Sequence, residues 1–263
     1  MIEISDEQRA QFVEDGYFVL ERAIPDHFLE LLRSECDAFI HQMDVEMDQK
    51  GADVDGITYR DKRYFVANCF RKRPVLREFL FSELMADICR ATLGEMAYLF
   101  WEQYVVKGAD IGTAFAWHQD SGYVGYPDHE PYLTCWCALD DMSEENGTAY
   151  IMPFSRIGIR SWVKHLREEG SNDRVGYFGD DPGVPVIAPA GSIAVFSSVT
   201  FHRSSANRTD RPRRAYIAQY SCEPLLSADG TKLWGSAEPL IIDGASAVGM
   251  PPPDPSSGAP DEG

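Results

Sequence analysis

The chain has 263 residues, of which 44% are hydrophobic, and this is enough apolar mass for one large core. Its formal charge of −18 argues against nucleic acid as a partner, because phosphate binding needs clustered Lys and Arg. No run approaches the ~18 apolar residues that a membrane helix needs, so a membrane partner is not expected either.

The first 94 residues are predicted to be mainly helical. Ser5 and Gln8 form a capping box that opens the first helix, and Gly16 ends it. Apolar residues at helical spacing indicate two further helices, and the polar stretch between these is expected to be a loop. The predicted segments are helices over 5–16, from 25 onwards and over 74–93, a short strand over 17–20 and a loop over 42–63.

Beyond Gly94 the chain consists of short runs rich in aromatic and β-branched residues, separated by turn residues. One helical insertion is expected near residues 161–168. Several strands in succession with little helix between them indicate a sandwich or a jelly-roll barrel. The predicted strands cover residues 98–106, 115–120, 133–139, 148–152, 193–197 and 216–220.

We expect one domain over residues 1–249, with a helical N-terminal part of about 1–94 and a barrel core of about 95–225. Residues 250–263 are mostly Pro, Gly, Ser, Ala and Asp, which cannot form a packed core, so they are expected to be a disordered tail.

The cysteines favour a reduced, cytoplasmic protein. None of the six belongs to a CxxC pair, and most lie inside apolar runs, which is typical of buried thiols. The N-terminus lacks a basic region followed by an apolar stretch, so a signal peptide is not expected. The sequence leaves a monomer and a homodimer open.

Three residues form a candidate metal site. His118 and Asp120 are two positions apart at the end of a predicted strand, so their side chains lie on the same face and can reach one ion. His202 follows another predicted strand, residues 193–197, and supplies a third ligand. Two imidazoles and one carboxylate leave open positions around the metal, as oxygen-activating iron(II) sites require. A hydrogen-bonded His–Asp pair without metal is the structural alternative.

The segment after His202 suggests which cosubstrate would complete such a site. Arg213 follows His202 by eleven positions and is expected to open the next strand. Its planar guanidinium suits a distal carboxylate, and Ser204 faces the same way as His202 and can add a hydroxyl donor. Arg211 and Arg214 compete for the same role, although strand alternation should point Arg214 away.

These motifs resemble the phytanoyl-CoA dioxygenase family of iron(II)/2-oxoglutarate oxygenases. Besides the HxD, the distal His and the Arg, four segments recur in that family in the same order. They are Asp15-Gly-Tyr-Phe-Val-Leu, Trp117-His-Gln-Asp-Ser-Gly-Tyr, Leu139-Asp-Asp-Met-Ser-Glu-Glu-Asn-Gly and Gly191-Ser-Ile-Ala-Val-Phe, and the resemblance covers roughly residues 10–222.

The resemblance implies a mainly β fold with flanking helices, a double-stranded β-helix (jelly-roll, cupin-like) barrel with N-terminal helices packed on it. It also implies roles for single residues. The implied iron ligands are His118, Asp120 and His202, and the implied 2-oxoglutarate contacts are Arg213, Ser204, Trp136 and, more loosely, Gln103. Tyr123, Tyr126 and Phe115 flank the HxD and are candidates for the substrate pocket, with a place in the core as the alternative.

The implied activity is a 2-oxoglutarate-dependent hydroxylase that uses Fe(II) and O2, with ascorbate as an in vitro reductant. It would hydroxylate a small-molecule metabolite and release succinate and CO2. Related halogenases lack the carboxylate ligand, so Asp120 favours hydroxylation. Desaturation, epimerisation and ring formation remain open, as do a catalytically silent metal-binding module and a barrel metalloenzyme without a keto acid.

Overall fold

Two antiparallel β-sheets form the framework, and helices cover one face of the larger sheet. The computed structural model describes residues 2–109, 114–124, 129–167, 173–227 and 229–253. The helices are α1 (Asp6–Asp15), α2 (Asp26–Lys50), α3 (Cys69–Lys72), α4 (Arg77–Leu80), α5 (Glu83–Thr92) and α6 (Phe154–Ile157), with 3-10 turns at Pro74–Leu76 and Asp120–Gly122.

The strands follow in chain order. They are β1 (Tyr17–Leu20), β2 (Val54–Asp55), β3 (Thr58–Tyr59), β4 (Arg63–Ala67), β5 (Ala97–Lys107), β6 (Phe115–His118), β7 (Leu133–Ala138), β8 (Ala149–Met152), β9 (Leu166–Arg167), β10 (Arg174–Val175), β11 (Val184–Pro185), β12 (Ile193–Ser197), β13 (Phe201–Ser204), β14 (Arg213–Ser221), β15 (Glu238–Ile242) and β16 (Ala245–Ser246).

The larger sheet has the strand order β1-β12-β7-β14-β5-β4-β3-β2, with β15 paired to β5 and to β16. The smaller sheet has the order β11-β8-β13-β6, and β9 and β10 form a separate ribbon. The described strand pairings are antiparallel, as a jelly-roll sandwich requires. The prediction of a mainly β fold with flanking helices is confirmed.

Two apolar cores hold these layers together. The larger core packs α2 and α5 against one face of the large sheet, and it includes Leu32, Phe39, Ile88 and Tyr216. The second core lies between the two sheets and joins Trp136 and Phe196 of the large sheet to Ala149 and Ile151 of the small one. The space between the two sheets is therefore packed with apolar side chains, and some of them also line the cavity described below.

The chain enters the sandwich through a tight junction at Gly16. This residue ends α1 with a φ of 80°, a left-handed conformation that glycine adopts without strain. A Cβ at this position would lie 2.5 Å from Phe154 and from Thr200, so a side chain does not fit there. The capping box at Ser5 and Gln8 is present as the sequence predicts.

The N-terminal part differs from the prediction in three places. The predicted loop over 42–63 is wrong, because α2 continues to Lys50 and the β2–β3 hairpin follows it. The predicted helix over 74–93 is divided, because the chain leaves helical geometry at Phe81 and Ser82 caps the next helix. Besides β1, which matches the predicted strand over 17–20, the strands β2 to β4 also lie within the first 94 residues.

The expected helical insertion near residues 161–168 is absent from its described part, 161–167, where β9 begins instead. Residues 254–263 of the expected tail lie outside the described residues. None of the helices within the described ranges combines the length and apolar character needed to cross a bilayer. All six cysteines are free, and five of them are buried.

Candidate metal centre and its cavity

His118 and His202 lie directly opposite each other on neighbouring strands. The pairing of β6 with β13 places the two residues in register, and their ring centroids are 4.2 Å apart. Asp120 follows at the start of a 3-10 turn, after Gln119 has kept an extended backbone. The ligand atoms of the three side chains lie within 4.8 Å of one another, close enough to share one ion. The sequence predicted this triad. It placed His202 after the strand over 193–197, whereas His202 lies within a separate strand, β13.

Backbone carbonyls orient both imidazoles. His118 Nδ1 lies 2.8 Å from the Ala116 oxygen, and His202 Nδ1 lies 3.2 Å from the Thr200 oxygen. Donation from each Nδ1–H to a carbonyl turns each Nε2 toward the site, as in most histidine metal ligands. Burial lowers the pKa of His118 to about 3, so its imidazole is neutral and able to bind a cation.

Asp120 presents one carboxylate oxygen to the site and holds the other in hydrogen bonds. Its Oδ2 accepts from Thr134 Oγ1 at 2.6 Å and from Gln219 Nε2 at 3.0 Å, while Oδ1 lies 3.4 Å from His202 Nε2. Burial raises the pKa of this carboxyl, but His202 and His118 outweigh it and bring the pKa to about 2. The carboxylate is therefore ionised and fixed in orientation.

Gln119, between the two ligands, points away from the metal site into a buried slot. Its amide nitrogen donates to the Ser161 and Val199 oxygens at 2.9 and 2.6 Å, and its amide oxygen accepts from Val163 N at 2.9 Å. Its backbone nitrogen donates to His165 Nε2 at 2.8 Å. The turn that carries the ligands is thus tied to the 161–165 segment and to the chain before His202.

His165 is therefore part of the support for the metal site. It is half-buried, and a Cβ on Gly122 or Gly176 would lie 2.7 or 2.6 Å from its ring. Nothing in the sequence near His165 marks this role, because the contact joins residues that are far apart in the chain. His129 is also buried, with its Nδ1 2.8 Å from the Glu130 oxygen.

The three candidate ligands open onto a cavity of about 320 Å³. The cavity contains nearly all the side chains that the sequence associated with the site. Tyr126 lies outside the described residues, so the structure gives no place for it. The predicted residues in the cavity wall are His118, Asp120, His202, Arg213, Ser204, Trp136, Gln103, Tyr123 and Phe115.

Arg213 is a buried cation that faces this cavity. Only 1% of its surface is exposed, and its guanidinium carbon lies 5.5 Å from the Trp136 ring centroid. Nη2 donates to the Gly147 oxygen at 2.8 Å, whereas Nε and Nη1 have no hydrogen-bond partner among the described residues. Burial lowers the pKa of Arg213 to about 10, so the group stays charged at neutral pH. Such donors fit an anionic ligand with two carboxylate oxygens.

The other two arginines of the segment have different surroundings. Arg214 donates to both oxygens of Asp140, at 2.8 and 3.2 Å, and to Asp37 at 3.0 Å. Arg211 is exposed, and neither residue lines the cavity. Strand alternation along β14 therefore separates Arg213 from Arg214 as the sequence predicts.

Strand pairing brings the remaining cosubstrate candidates onto the same wall. Arg213 and Ile217 lie on β14, and Ile217 pairs with Gln103 on one side and Trp136 on the other. Gln103 Oε1 accepts from Trp101 Nε1 at 3.3 Å. Ser204 lies on β13 two residues after His202, half-buried in the cavity wall.

Two polar residues near the site carried no signal in the sequence. Thr134 and Gln219 reach Asp120 from β7 and β14, and only the sheet order brings them there. Lys107 is fully buried between its cross-strand neighbours Arg63 and Arg213, and its Nζ donates to the Ser205 oxygen. A row of three basic residues thus crosses the sheet in a chain of net charge −18.

The profile of the phytanoyl-CoA dioxygenase family matches residues 12–215. The chain is 23% identical over 275 residues to phytanoyl-CoA dioxygenase domain-containing protein 1 of Bos taurus, covering 88% of this chain and 92% of that protein. It is 26% identical over 226 residues to the multifunctional dioxygenase prhA of Penicillium brasilianum, covering 81% and 71%.

A solved structure has the same fold. EvdO2 of Micromonospora carbonacea var. aurantiaca, crystallised with 2-oxoglutarate, superposes with a TM-score of 0.68 at 20% identity and covers 85% of this chain and 93% of that one. The likeness extends over the sandwich and its helices, so the jelly-roll architecture is shared.

Proposed function

The chain belongs to the phytanoyl-CoA dioxygenase family, and we propose that it hydroxylates an unactivated C–H bond of a small-molecule metabolite. It is an iron(II)- and 2-oxoglutarate-dependent dioxygenase, and its other products are succinate and CO2. The assignment to this cavity depends on Arg213. Its buried guanidinium lies in the same cavity wall as the three candidate metal ligands, and its Nε and Nη1 have no partner within the described part of the chain. A dicarboxylate is the ligand that would use both the metal held by these residues and the guanidinium of Arg213.

We assign the iron to His118, Asp120 and His202. Two neutral imidazoles and one carboxylate are the donor set of non-haem iron(II) oxygenases, and they leave coordination positions open. The bound metal and 2-oxoglutarate together activate dioxygen and supply the oxidant that removes hydrogen from the substrate. The distal carboxylate of 2-oxoglutarate would accept from Arg213 and from the Ser204 hydroxyl, beside Trp136 and Gln103.

The protein's own contribution is orientation and exclusion of water. The carbonyls of Ala116 and Thr200 fix the two imidazoles, and Thr134 and Gln219 fix the carboxylate. Apolar and aromatic side chains form most of the rest of the cavity wall and would hold the substrate near the metal. Tyr123 and Phe115 are our candidates for direct substrate contact.

Other oxidative outcomes share this machinery. Desaturation, epimerisation and ring formation use the same metal and cosubstrate and differ in what the substrate does afterwards. A catalytically silent metal-binding module is disfavoured, because it has no need for a buried arginine in the cavity wall whose Nε and Nη1 lack partners among the described residues. A metalloenzyme without a keto acid is disfavoured for the same reason.

We propose that one catalytic domain over residues 1–249 carries this activity. All six cysteines are free, and five of them are buried, which suits a reducing compartment such as the cytoplasm. The partner we propose is the small-molecule substrate alone.

The test begins with cosubstrate binding. Iron(II) and 2-oxoglutarate, added anaerobically, should produce a weak visible charge-transfer band, which His118→Ala should abolish and the exposed-site control His41→Ala should leave intact. Succinate release, measured with ascorbate and a panel of metabolites, then identifies the substrate. If no band forms with the wild-type protein, the assignment is wrong.

A further inference from the structure

Part of the cavity wall is not used by the proposed cosubstrate contacts. Two clusters of aromatic side chains make up much of that part. From them we infer that the reacting part of the substrate is an uncharged, ring-bearing group, so that zwitterionic and cationic metabolites are excluded. This inference rests on the proposed function, because substrate and cosubstrate would share the cavity.

The first cluster is Phe65 of β4 with Phe115 of β6. Their ring centroids lie 5.3 Å apart with the planes at 87°, an edge-to-face arrangement. Both residues are half-buried and line the cavity, so part of each ring remains open to a ligand. Phe115 pairs with Ser204 across the strands, which places this cluster beside the cosubstrate contacts.

The second cluster is Phe100 and Trp101 of β5 with Tyr132 and Trp234. Phe100 and Tyr132 are also edge-to-face, with centroids 4.7 Å apart. The two tryptophans are half-buried, pack against this pair and line the cavity. Edge-to-face pairs offer the C–H edge of one ring and the face of another, and a further ring can pack against both.

The charged side chains in the wall already have partners. Asp173 lies 3.5 Å from Arg63, and Arg63 stands over the Phe115 ring at 5.1 Å. Arg203 stacks on Tyr150 at 4.0 Å and donates to the Pro182 oxygen at 3.1 Å. The remaining charged groups in the described wall are Arg213 and the three candidate ligands, which the cosubstrate and metal would use.

The neutral polar groups are similarly engaged. Gln219 donates to Asp120, the Gln103 oxygen accepts from Trp101, and the Tyr123 hydroxyl accepts from Arg174 N at 3.1 Å. A cationic substrate group entering this part of the described wall would lose its hydration and gain no free counter-ion, because Asp173 is paired with Arg63 and Asp120 would hold the metal. Burial of an unpaired charge is strongly unfavourable, whereas an uncharged ring gains from leaving water.

An aromatic cage can also attract a quaternary ammonium ion, through the negative faces of its rings. Here Arg203, whose described partners are aromatic rings and a backbone carbonyl, lines the same cavity and would repel such a cation. We therefore favour a neutral ring over a quaternary ammonium group. A neutral and a cationic probe of equal shape test this choice directly.

The experiment compares three probes on the anaerobic protein loaded with iron(II) and 2-oxoglutarate. 4-tert-Butylphenol is neutral, 4-hydroxyphenyltrimethylammonium has the same shape with a positive charge, and 1-octanol is a flexible alcohol of similar hydrophobicity. Dissociation constants come from calorimetry, and the visible charge-transfer band is recorded in every sample. We expect the neutral phenol to bind at least about tenfold more tightly than either other probe, a difference of about 1.4 kcal/mol.

Variants localise the effect. Trp234→Leu should weaken binding of the phenol about tenfold, which corresponds to the loss of about one aromatic contact of 0.5–1.5 kcal/mol. The control Trp162→Leu changes a tryptophan that does not line the cavity and should leave binding unchanged. The charge-transfer band should be the same in both variants, because neither residue lies among the cosubstrate contacts.

The outcomes separate the two proposals. Absence of the band in the wild-type protein contradicts the proposed function. A normal band with tighter binding of the ammonium probe or of octanol, or with no binding of any probe, overturns the inference about the substrate and leaves the oxygenase assignment standing.

Discussion

The Thr134 hydroxyl donates a hydrogen bond of 2.6 Å to Asp120 Oδ2. The same oxygen accepts from Gln219 Nε2, which lies 3.1 Å from Thr134 Oγ1. Thr134 is on β7 and Gln219 on β14, and these residues are cross-strand neighbours in the large sheet. Asp120 lies in the turn that follows β6 of the small sheet, and its carboxylate is oriented by two residues of the large sheet. The candidate metal centre therefore depends on both sheets.

Thr134→Val should weaken iron(II) binding about tenfold, because groups that orient a metal ligand are typically worth 10- to 100-fold in metal affinity. The substitution conserves shape and removes only the hydroxyl. A fluorescent chelator competing for the metal measures the change without any turnover. The matched control is Thr148→Val, since Thr148 is buried, donates to the Val186 oxygen and does not line the cavity. Equal iron affinity in both variants would contradict the role of Thr134.

Arg213→Lys should raise the 2-oxoglutarate concentration needed for the charge-transfer band about 100-fold. A lysine keeps the charge but loses the planar fork, and losing a charge-assisted hydrogen bond in a buried site costs about 2–3 kcal/mol. Arg214→Lys is the control, because Arg214 pairs with Asp140 outside the cavity. Iron affinity should be unchanged in both. Loss of iron from Arg213→Lys would show that Arg213 serves the metal site rather than the cosubstrate.

The pair of neighbouring ligands and the choice between the adjacent arginines were predictable because they depend on local periodicity. His118 and Asp120 are two residues apart on extended backbone, and Arg213 and Arg214 alternate along a strand. These relations follow from the geometry of a single strand. The fold class was likewise predictable, because turn residues divide the second half of the chain into short aromatic and β-branched runs.

The supporting contacts were not predictable, because they depend on which strands become neighbours. Thr134 and Gln219 meet Asp120 only through the order β7-β14, and Lys107 meets Arg63 and Arg213 only through the order β4-β5-β14. The predicted loop over 42–63 was wrong for another reason. The last two turns of α2 are polar because one face of that helix is in water, and polarity alone does not separate exposed helix from loop.

His165→Phe should weaken iron(II) binding and lower the melting temperature. Phenylalanine fills a similar volume but cannot accept from Gln119 N, which lies between the two ligands. A buried donor left unpaired costs about 1–3 kcal/mol. His165→Gln, which can still accept, should recover part of the iron affinity. If the melting temperature falls while iron affinity is unchanged, His165 is important only for stability.

Lys107→Met should stabilise the protein most at acidic pH. Burial lowers the pKa of Lys107 to about 5, and Arg213 and Arg63 add to this. From pH 5 to its ordinary value of 10.5 the unfolded chain binds one more proton, so wild-type stability rises with pH in that window. Methionine removes this dependence. The free energy of unfolding should therefore increase by a few kcal/mol at pH 7, and this gain should vanish near pH 10.5. Urea unfolding across this range measures it, and a gain that does not change with pH would contradict it. Exposed Lys164→Met is the control.

Glu102→Gln should stabilise the protein at alkaline pH. Glu102 is fully buried on β5, and its Oε1 accepts from Phe70 N at 3.1 Å while Oε2 has no partner among the described residues. Burial raises the pKa of this carboxyl from 4.5 to about 7, and the Tyr216 hydroxyl and the backbone donors only partly oppose it. Between these values the folded protein binds one more proton than the unfolded chain, so wild-type stability falls as the pH rises.

Above pH 7 the folded state has to hold a buried, incompletely paired carboxylate. Glutamine removes that charge, so the free energy of unfolding should increase by up to about 3 kcal/mol at pH 8, and the gain should disappear below pH 4.5. Urea unfolding at pH 4, 6 and 8 measures this dependence, with Glu30→Gln on the exposed face of α2 as the control. Because Glu102→Gln and Lys107→Met are predicted to act at opposite ends of the pH range, the same series of buffers tests both. A gain that is equal at pH 4 and pH 8 would show that folding does not raise the pKa of Glu102.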